Sequence, residues 1–403
     1  MIRSLRSTAV LLVLMLVPAA LLAVTPVGPE VSVRVQQGGR ATHPLVGVFA
    51  DGGFVVAWTT GSPKTVIHAR LFDATGAPAS GEFRLAQPAN QYLDDLAVMP
   101  GGDFLLVWEQ PRSATVVATS VVARRYDRHG VPRTPAFVVH DPSPGAVYNA
   151  RLAATPDGGF AVAWTQDIAV PNNVRPRRDT FVRSFGANNA PLGPALLVEQ
   201  GSIGDDSFLL PGSLAAAPNG TLALASDCLC DQVTVEVHRI VPGVGVQLLD
   251  AGNDDTVSYD SSLAMAADGS FLVAFQTDNS VIRARRFAAD GTPQGDAFQV
   301  NRRGSSENQP FVAALAGGEF VVVWTDIAGR DGDGWGIYSR GYAADGATFG
   351  PDLLVNQVAA GGQLATGVAA ADQAVAVWVA PGPTFDVFHP NGTDVRVRRL
   401  RPH

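Results

Sequence analysis

The sequence predicts an all-β fold: a seven-bladed β-propeller of four-stranded antiparallel blades, its last blade closed by the N-terminal strand. Three observations carry this prediction. A phrase of the form Gly-Gly-Phe-Val-Val-Ala-Trp recurs seven times in degenerate form, its copies ending at residues 58, 108, 164, 226, 275, 324 and 378. That interval is the size of one supersecondary unit in a repeat architecture. Each unit divides into four short runs with the two-residue period of strands. The seventh unit has only three such runs, and an orphan run stands before the first.

The chain has 403 residues, 46% of them hydrophobic, which suits one large repeat body with a continuous core. Residues 1–23 read differently. Arg3 and Arg6 precede an apolar stretch, with Ala19, Ala20 and Ala23 behind it, the layout of a secretory signal peptide cut after Ala23. Leu21 fits the cleavage site less well than alanine, so an uncleaved anchor is the alternative. The expected location is secreted, periplasmic or cell-surface. Losing this segment removes two arginines and no acids, moving the formal net charge from −8 to −10. An acidic exterior speaks against nucleic acid and anionic membranes as partners. A monomer is expected.

Residues 24–403 are expected to form one domain. Its blades span approximately 42–86, 92–140, 148–199, 210–250, 259–301, 308–356 and 362–400, the last completed by 30–35. The first strand of each unit is rich in small residues, as in Leu214-Ala215-Ala216-Ala217, and suits the crowded axis where blades converge. The second, Phe54–Trp58 in the first unit, is apolar on both alternating faces and so is covered on both. The third carries Ala69-Arg70-Leu71-Phe72-Asp73, Ala123-Arg124-Arg125-Tyr126-Asp127 and their equivalents. Glycine turns lead on to a fourth strand such as Ala297-Phe298-Gln299-Val300. Glu30-Val31-Ser32-Val33-Arg34 has the alternation of the strand that the seventh unit lacks after Asp394–Leu400. Joining the two leaves no open sheet edge.

One repeat position holds Arg70, Arg124, Arg183, Arg285, Arg340 and Arg398, with His238 in the fourth unit. That unit also has Ser226 where five others have tryptophan, which predicts each guanidinium lying over its own blade's indole. Cys228 and Cys230, two apart, predict a local disulfide or free thiols rather than a zinc site.

The turns between first and second strands and between third and fourth are short and share one face. The other face carries connections that vary in length and chemistry, where binding is expected on a rigid scaffold. Aligning the units places Tyr92, Tyr148 and Tyr259 at one position, filled by Asn308 in the sixth unit. Asp94, Asp95, Arg151 and Asp260 stand beside them. Such a ring of phenols and carboxylates at a channel mouth suits a sugar, a peptide or a cation. The alternative is that the tyrosines only cap the blades. Asp326, Asp331 and Asp333, interleaved with glycines, suit Ca²⁺, though Asp-Gly pairs are also plain turn chemistry. No other cofactor is expected. His43, His68, His129, His140, His238, His389 and His403 show no metal-ligand spacing, and no nucleophile elbow or phosphate loop is present.

The run Asp-Gly-Gly-Phe-Val-Val-x-Trp, then Ala-Arg-x-Phe-Asp, then Phe-x-Val-Asn resembles a repeat of exported bacterial β-propeller proteins, most closely from Gly317 through Asn356. The resemblance implies a secreted or surface chain and carries over no catalytic residues. The expectation is a non-enzymatic binding or adhesion propeller for an extracellular glycan or protein ligand. The alternative is a polysaccharide hydrolase or lyase using carboxylates at the channel mouth, among them Asp94 or Asp260.

Overall fold

The computed structural model describes residues 24–35, 40–61, 65–85, 92–111, 119–141, 145–171, 175–203, 207–229, 233–252, 257–302, 307–346, 348–380 and 394–402. The expected leader, Cys230 and His389 lie outside them. The described strands form seven four-stranded antiparallel sheets, arranged as a seven-bladed propeller with no helix. Six sheets follow chain order from the axis outward, as in Ala41–Val48, Phe54–Thr60, Val66–Phe72 and Phe83–Arg84 for the first blade. The seventh is completed by Val24–Ser32, which pairs antiparallel with Asp394–Pro402. The closing strand is longer than the alternation predicted and continues to Val33, whose N–H donates to Val395 O at 2.8 Å. Its Glu30 is held by Arg396 at 2.5 Å and accepts from Gln357 N at 2.6 Å.

Seven apolar clusters make up the core, each lying between two neighbouring blades. The second strands explain this placement: with both faces apolar, they bury both. Trp58, Trp108, Trp164, Trp324 and Trp378 are all fully buried. Cross-strand rings stack within blades, Phe54 on Phe72 at 4.8 Å and Phe160 on Phe185 at 4.7 Å. The Phe-x-Val-Asn phrase ends in a cap. Asn301 and Asn356 are buried and accept from Ile282 N and Ile337 N at 3.0 and 2.8 Å.

The recurring arginines do cover rings, but not the indoles. Arg70, Arg124, Arg183, Arg285 and Arg340 lie 5.5, 5.5, 5.6, 6.0 and 5.9 Å from the rings of Phe72, Tyr126, Phe185, Phe287 and Tyr342. Residues two apart on a strand share a face, so the covered ring is the one that follows along the same strand. The guanidinium also has a fixed main-chain target. The Nε of Arg70, Arg124, Arg183 and Arg285 donates to Ser80 O, Thr134 O, Gly193 O and Gly295 O at 2.9–3.2 Å. Arg398, whose blade lacks that stretch of chain, donates to Gly28 O of the closing strand at 3.1 Å. A second nitrogen reaches the preceding blade: Arg70 to Val33 O, Arg285 to Asp250 O, Arg340 to Val300 O and Arg398 to Val355 O. The arginine is a blade-to-blade tie.

The fourth blade departs for a visible reason. Its third and fourth strands pair without interruption from Val237↔Leu249 to Val241↔Gly245, so the kinked segment that offers the carbonyl is missing. Leu222 and Ile240 replace the stacked ring pair. His238 takes the arginine's place, and burial pushes its imidazole down to about 4. Cys228 on the adjacent strand is disulfide-bonded.

Candidate functional site

Each innermost strand carries a register shift at the same height. The shifts fall between Thr42/Leu45, Leu93/Asp95, Tyr148/Arg151, Pro211/Ser213, Tyr259/Ser262, Asn308/Phe311 and Ala365/Gly367. A bulge re-aims a side chain that regular pleating would point elsewhere. Here seven bulges encircle the axis and line a cavity of about 1310 Å³, with His43, Asp94, Asn149, Gly212, Asp260, Gln309 and Thr366 in its wall. Where two residues of the bulge stand opposite one on the partner strand, the first is left-handed: His43, Asn149, Asp260 and Gln309 have φ of 51°, 51°, 54° and 48°. Four non-glycine residues in that region store strain at one ring of the molecule.

Side chains from the preceding blade pin these bulges. Glu109, Asp227, Gln276 and Thr325 each follow the last residue of the repeat phrase. Glu109 accepts from Asn149 N at 3.0 Å, and Asp227 from Asp260 N and Ser261 N at 2.9 and 3.0 Å. Gln276 accepts from Gln309 N at 3.2 Å and Thr325 from Ala365 N at 2.9 Å. A second collar lies deeper. Asp95, Ser213 and Ser262 accept from Leu152 N, Leu263 N and Val312 N at 2.8, 2.5 and 3.0 Å.

The predicted residues separate accordingly. Tyr92, Asp94, Asp95, Arg151 and Asp260 meet in the cavity wall. Tyr148, Tyr259 and Asn308 hold the same register position as Tyr92, but are not part of that wall. The Tyr148 hydroxyl donates to Asp167 at 2.8 Å, with Arg178 5.3 Å from its ring, and the Tyr259 hydroxyl accepts from Gln276 at 3.2 Å. Glu109 and Asp227, not singled out from the sequence, belong to the wall. Their signal is the position after the phrase, which is polar in six of seven units (Thr59, Glu109, Thr165, Asp227, Gln276, Thr325).

Arg151 is the hub. Its Nε donates to Gly212 O at 2.7 Å, and one Nη to Ala150 O at 3.1 Å and Asp94 O at 3.4 Å, joining three blades. Around it stand five carboxyl groups raised chiefly by burial. Burial and the Glu109 carboxylate hold Asp94 well above the usual carboxylate range. One buried oxygen of Asp94 has no hydrogen-bond partner. Burial raises Asp95, Glu109 and Asp227, each opposed by Arg151 and by the amides it accepts from. Burial and Asp227 push Asp260 up to about 6. Burial and the Arg151 charge lower His43.

Asp326, Asp331 and Asp333 do not assemble into one ligand set. Asp326 is fully buried and ion-paired with Arg330, which also binds Glu307 and lies over Tyr338 at 4.6 Å. Asp331 accepts from Asn356 Nδ2 at 2.9 Å and Asp333 from Gly361 N at 3.5 Å. Their loop instead delivers Asp333 and Trp335 to the cavity wall, where Trp335 and Tyr92 are 40% and 52% exposed.

No family model and no curated protein matches the sequence. Solved structures are similar in fold. One is a protein of unknown function from Dyadobacter fermentans, with a TM-score of 0.54 and 11% identity over 94% of this chain and 99% of that one. An ulvan lyase of a polysaccharide lyase family gives a TM-score of 0.51 and 12% identity over 77% of this chain and 80% of its own. At such identities what these chains share with this one is the fold.

Proposed function

We propose that the bulge-lined cavity binds a neutral carbohydrate, and that the chain is an exported binding propeller. The observation that carries this reading is the pair of exposed rings, Tyr92 and Trp335, on the wall of a cavity rich in hydrogen-bonding groups. Aromatic faces pack on the apolar faces of pyranose rings while their polar tips stay wet. Asp94, Asp260 and the main-chain-bonded Arg151 supply donors and acceptors for hydroxyl groups. The excess of carboxyl groups over cations in the wall disfavours a uronate or sulfated polymer by like-charge repulsion. Asp95, Glu109 and Asp227 accept main-chain amides, a positioning role that needs no turnover. Export, read from residues 1–23, puts the ligand outside the cytoplasm.

One observation favours a second reading, glycoside hydrolysis. Asp260 near 6 beside Asp227 is the kind of divided carboxyl pair that supplies a general acid. A glycan array and a reducing-sugar assay on the same purified protein separate the two. Binding to neutral glycans, weakened about tenfold or more in Tyr92→Ala and Trp335→Ala without sugar release, supports the first. Sugar release abolished in Asp260→Asn supports the second. Array signals indifferent to both aromatic substitutions sink the binding site as drawn.

A further inference from the structure

The groove between the third and fourth blades, at the one repeat position where arginine is replaced, gathers three ligating side chains. Glu199 ends the outermost strand of the third blade (Leu196–Glu199). Glu236 and His238 project from one side of the third strand of the fourth blade (Thr234–Val241). Their ligating atoms all lie within 4.8 Å of one another, the one such group among the described residues. His238 Nε2 is 3.5 Å from Glu236 and 3.8 Å from Glu199. Those separations are too long for hydrogen bonds. They are near the spacing of ligands around an ion, since metal–ligand bonds of about 2.0–2.2 Å set tetrahedral neighbours roughly 3.4 Å apart.

A second observation is independent of the acids. His238 is 1% exposed, and neither of its ring nitrogens has a hydrogen-bond partner. Buried polar atoms are nearly always satisfied, and an orphan calls for an explanation such as an ion. This one aims Nε2 at two carboxylates.

The repeat supplies a third argument. At the same position the guanidiniums of Arg70, Arg285, Arg340 and Arg398 each bond a main-chain carbonyl of the preceding blade. The fourth blade has lost that cation and gained Glu236, and the third blade sets Glu199 beside it. Ser226, directly across from Glu236, stands where five units have an indole, so the bulky ring of those units is absent from that face.

We propose that Glu199, Glu236 and His238 bind a divalent transition ion of the zinc class, which ties the third blade to the fourth where other blades use a guanidinium. Two carboxylates and a neutral imidazole balance a dication, and an imidazole ligand selects zinc-class ions over calcium or magnesium, which prefer all-oxygen shells. The Glu199 side chain is 48% exposed, so the ion has a path in and a position for water.

The test is zinc titration into the metal-stripped protein by calorimetry, with thermal unfolding alongside. The expected result is one zinc per chain and a raised unfolding temperature, with no response to calcium. Glu199→Gln, exposed and therefore safe for folding, should weaken zinc by more than the roughly tenfold that loss of an outer-shell partner costs, and Glu236→Gln likewise. Failure of the wild-type chain to take up one zinc overturns the proposal. So does zinc binding with unchanged affinity in both variants.

Discussion

Arg151 shows how much one side chain organises in this channel. Its guanidinium bonds carbonyls of three blades, and its charge opposes the rise of Asp94, Asp95, Glu109 and Asp227. Removing it strands carbonyls and leaves a cluster of like charges. Arg151→Ala should cost about 3–5 kcal/mol at pH 7. The cost should shrink at pH 5, where the carboxyl groups carry more protons. Urea unfolding at the two pH values checks this, and an equal loss at both would show that the charge plays no part. Part of this neighbourhood was legible in the sequence. Aligning units on the repeat phrase brought Tyr92, Asp94, Asp95, Arg151 and Asp260 to one level, and they do meet. The same alignment put Tyr148, Tyr259 and Asn308 beside them, and these lie outside the wall. What separates them is how each bulge turns its strand, a relation between a strand and its partner that one strand's residues do not announce.

At the scale of the strand, the recurring arginine resolves into three bonds of unequal weight: a ring, its own blade's turn, and the preceding blade. Arg398 has Leu400 where other blades have the covered ring, yet keeps both carbonyls. The carbonyls, not the ring, therefore fix the residue. Arg340 is 4% exposed and donates to Val300 O at 2.6 Å across the blade boundary, whereas Arg183 donates to Gly193 O of its own blade. Arg340→Ala should thus destabilise by about 2–4 kcal/mol, and Arg183→Ala by about 1 kcal/mol. Denaturant midpoints read the order directly, and equal losses would place the weight on the ring stack. The periodicity revealed the arginine and, through its loss in the fourth unit, that it had a partner. It pointed to the indole because the tryptophan is lost in the same unit. The ring two residues on is lost there as well, and strand geometry selects it. The partner carbonyls are invisible in any sequence, since main chain is the same everywhere. The ring closure was legible, because a missing strand and an orphan strand are both patterns of side chains.

Over the whole molecule, the turn aspartates of the trim face and the carboxyl groups of the channel titrate in opposite directions. The trim face carries turn aspartates that accept local hydrogen bonds, and Asp51, Asp73, Asp157, Asp268 and Asp290 are all held below the usual range. A depressed carboxyl group contributes stability above its unfolded pKa and loses it as pH falls through the folded value. The channel face carries Asp94, Asp95, Glu109, Asp227 and Asp260, all raised. Their contribution is present below the unfolded value and lost as pH rises through the folded one, for Asp260 between 3.8 and about 6. His43, His68 and His238 are depressed from 6.5, so they lose stability as pH falls and oppose the channel acids across much of that window. The unfolding temperature of the wild-type chain should therefore fall below about pH 4, and above it the channel acids, joined by Glu307 raised to about 8, should outweigh the three imidazoles and lower it gradually. Single substitutions uncover the opposed parts. Asp260→Asn, an amide that tolerates the left-handed backbone there, should match the wild-type chain near pH 4. It should gain on it steadily as pH rises, by up to about 3 kcal/mol at pH 7. Asp73→Asn should lie below the wild-type chain at every pH above about 4 and converge on it below, since that is where a depressed aspartate loses its contribution. Calorimetric scans of the three proteins across pH 3–8 decide the matter. A constant offset between Asp260→Asn and the wild-type chain would mean that the channel carboxyl group is not raised, and the general-acid role that the hydrolysis reading gives it would lose its basis.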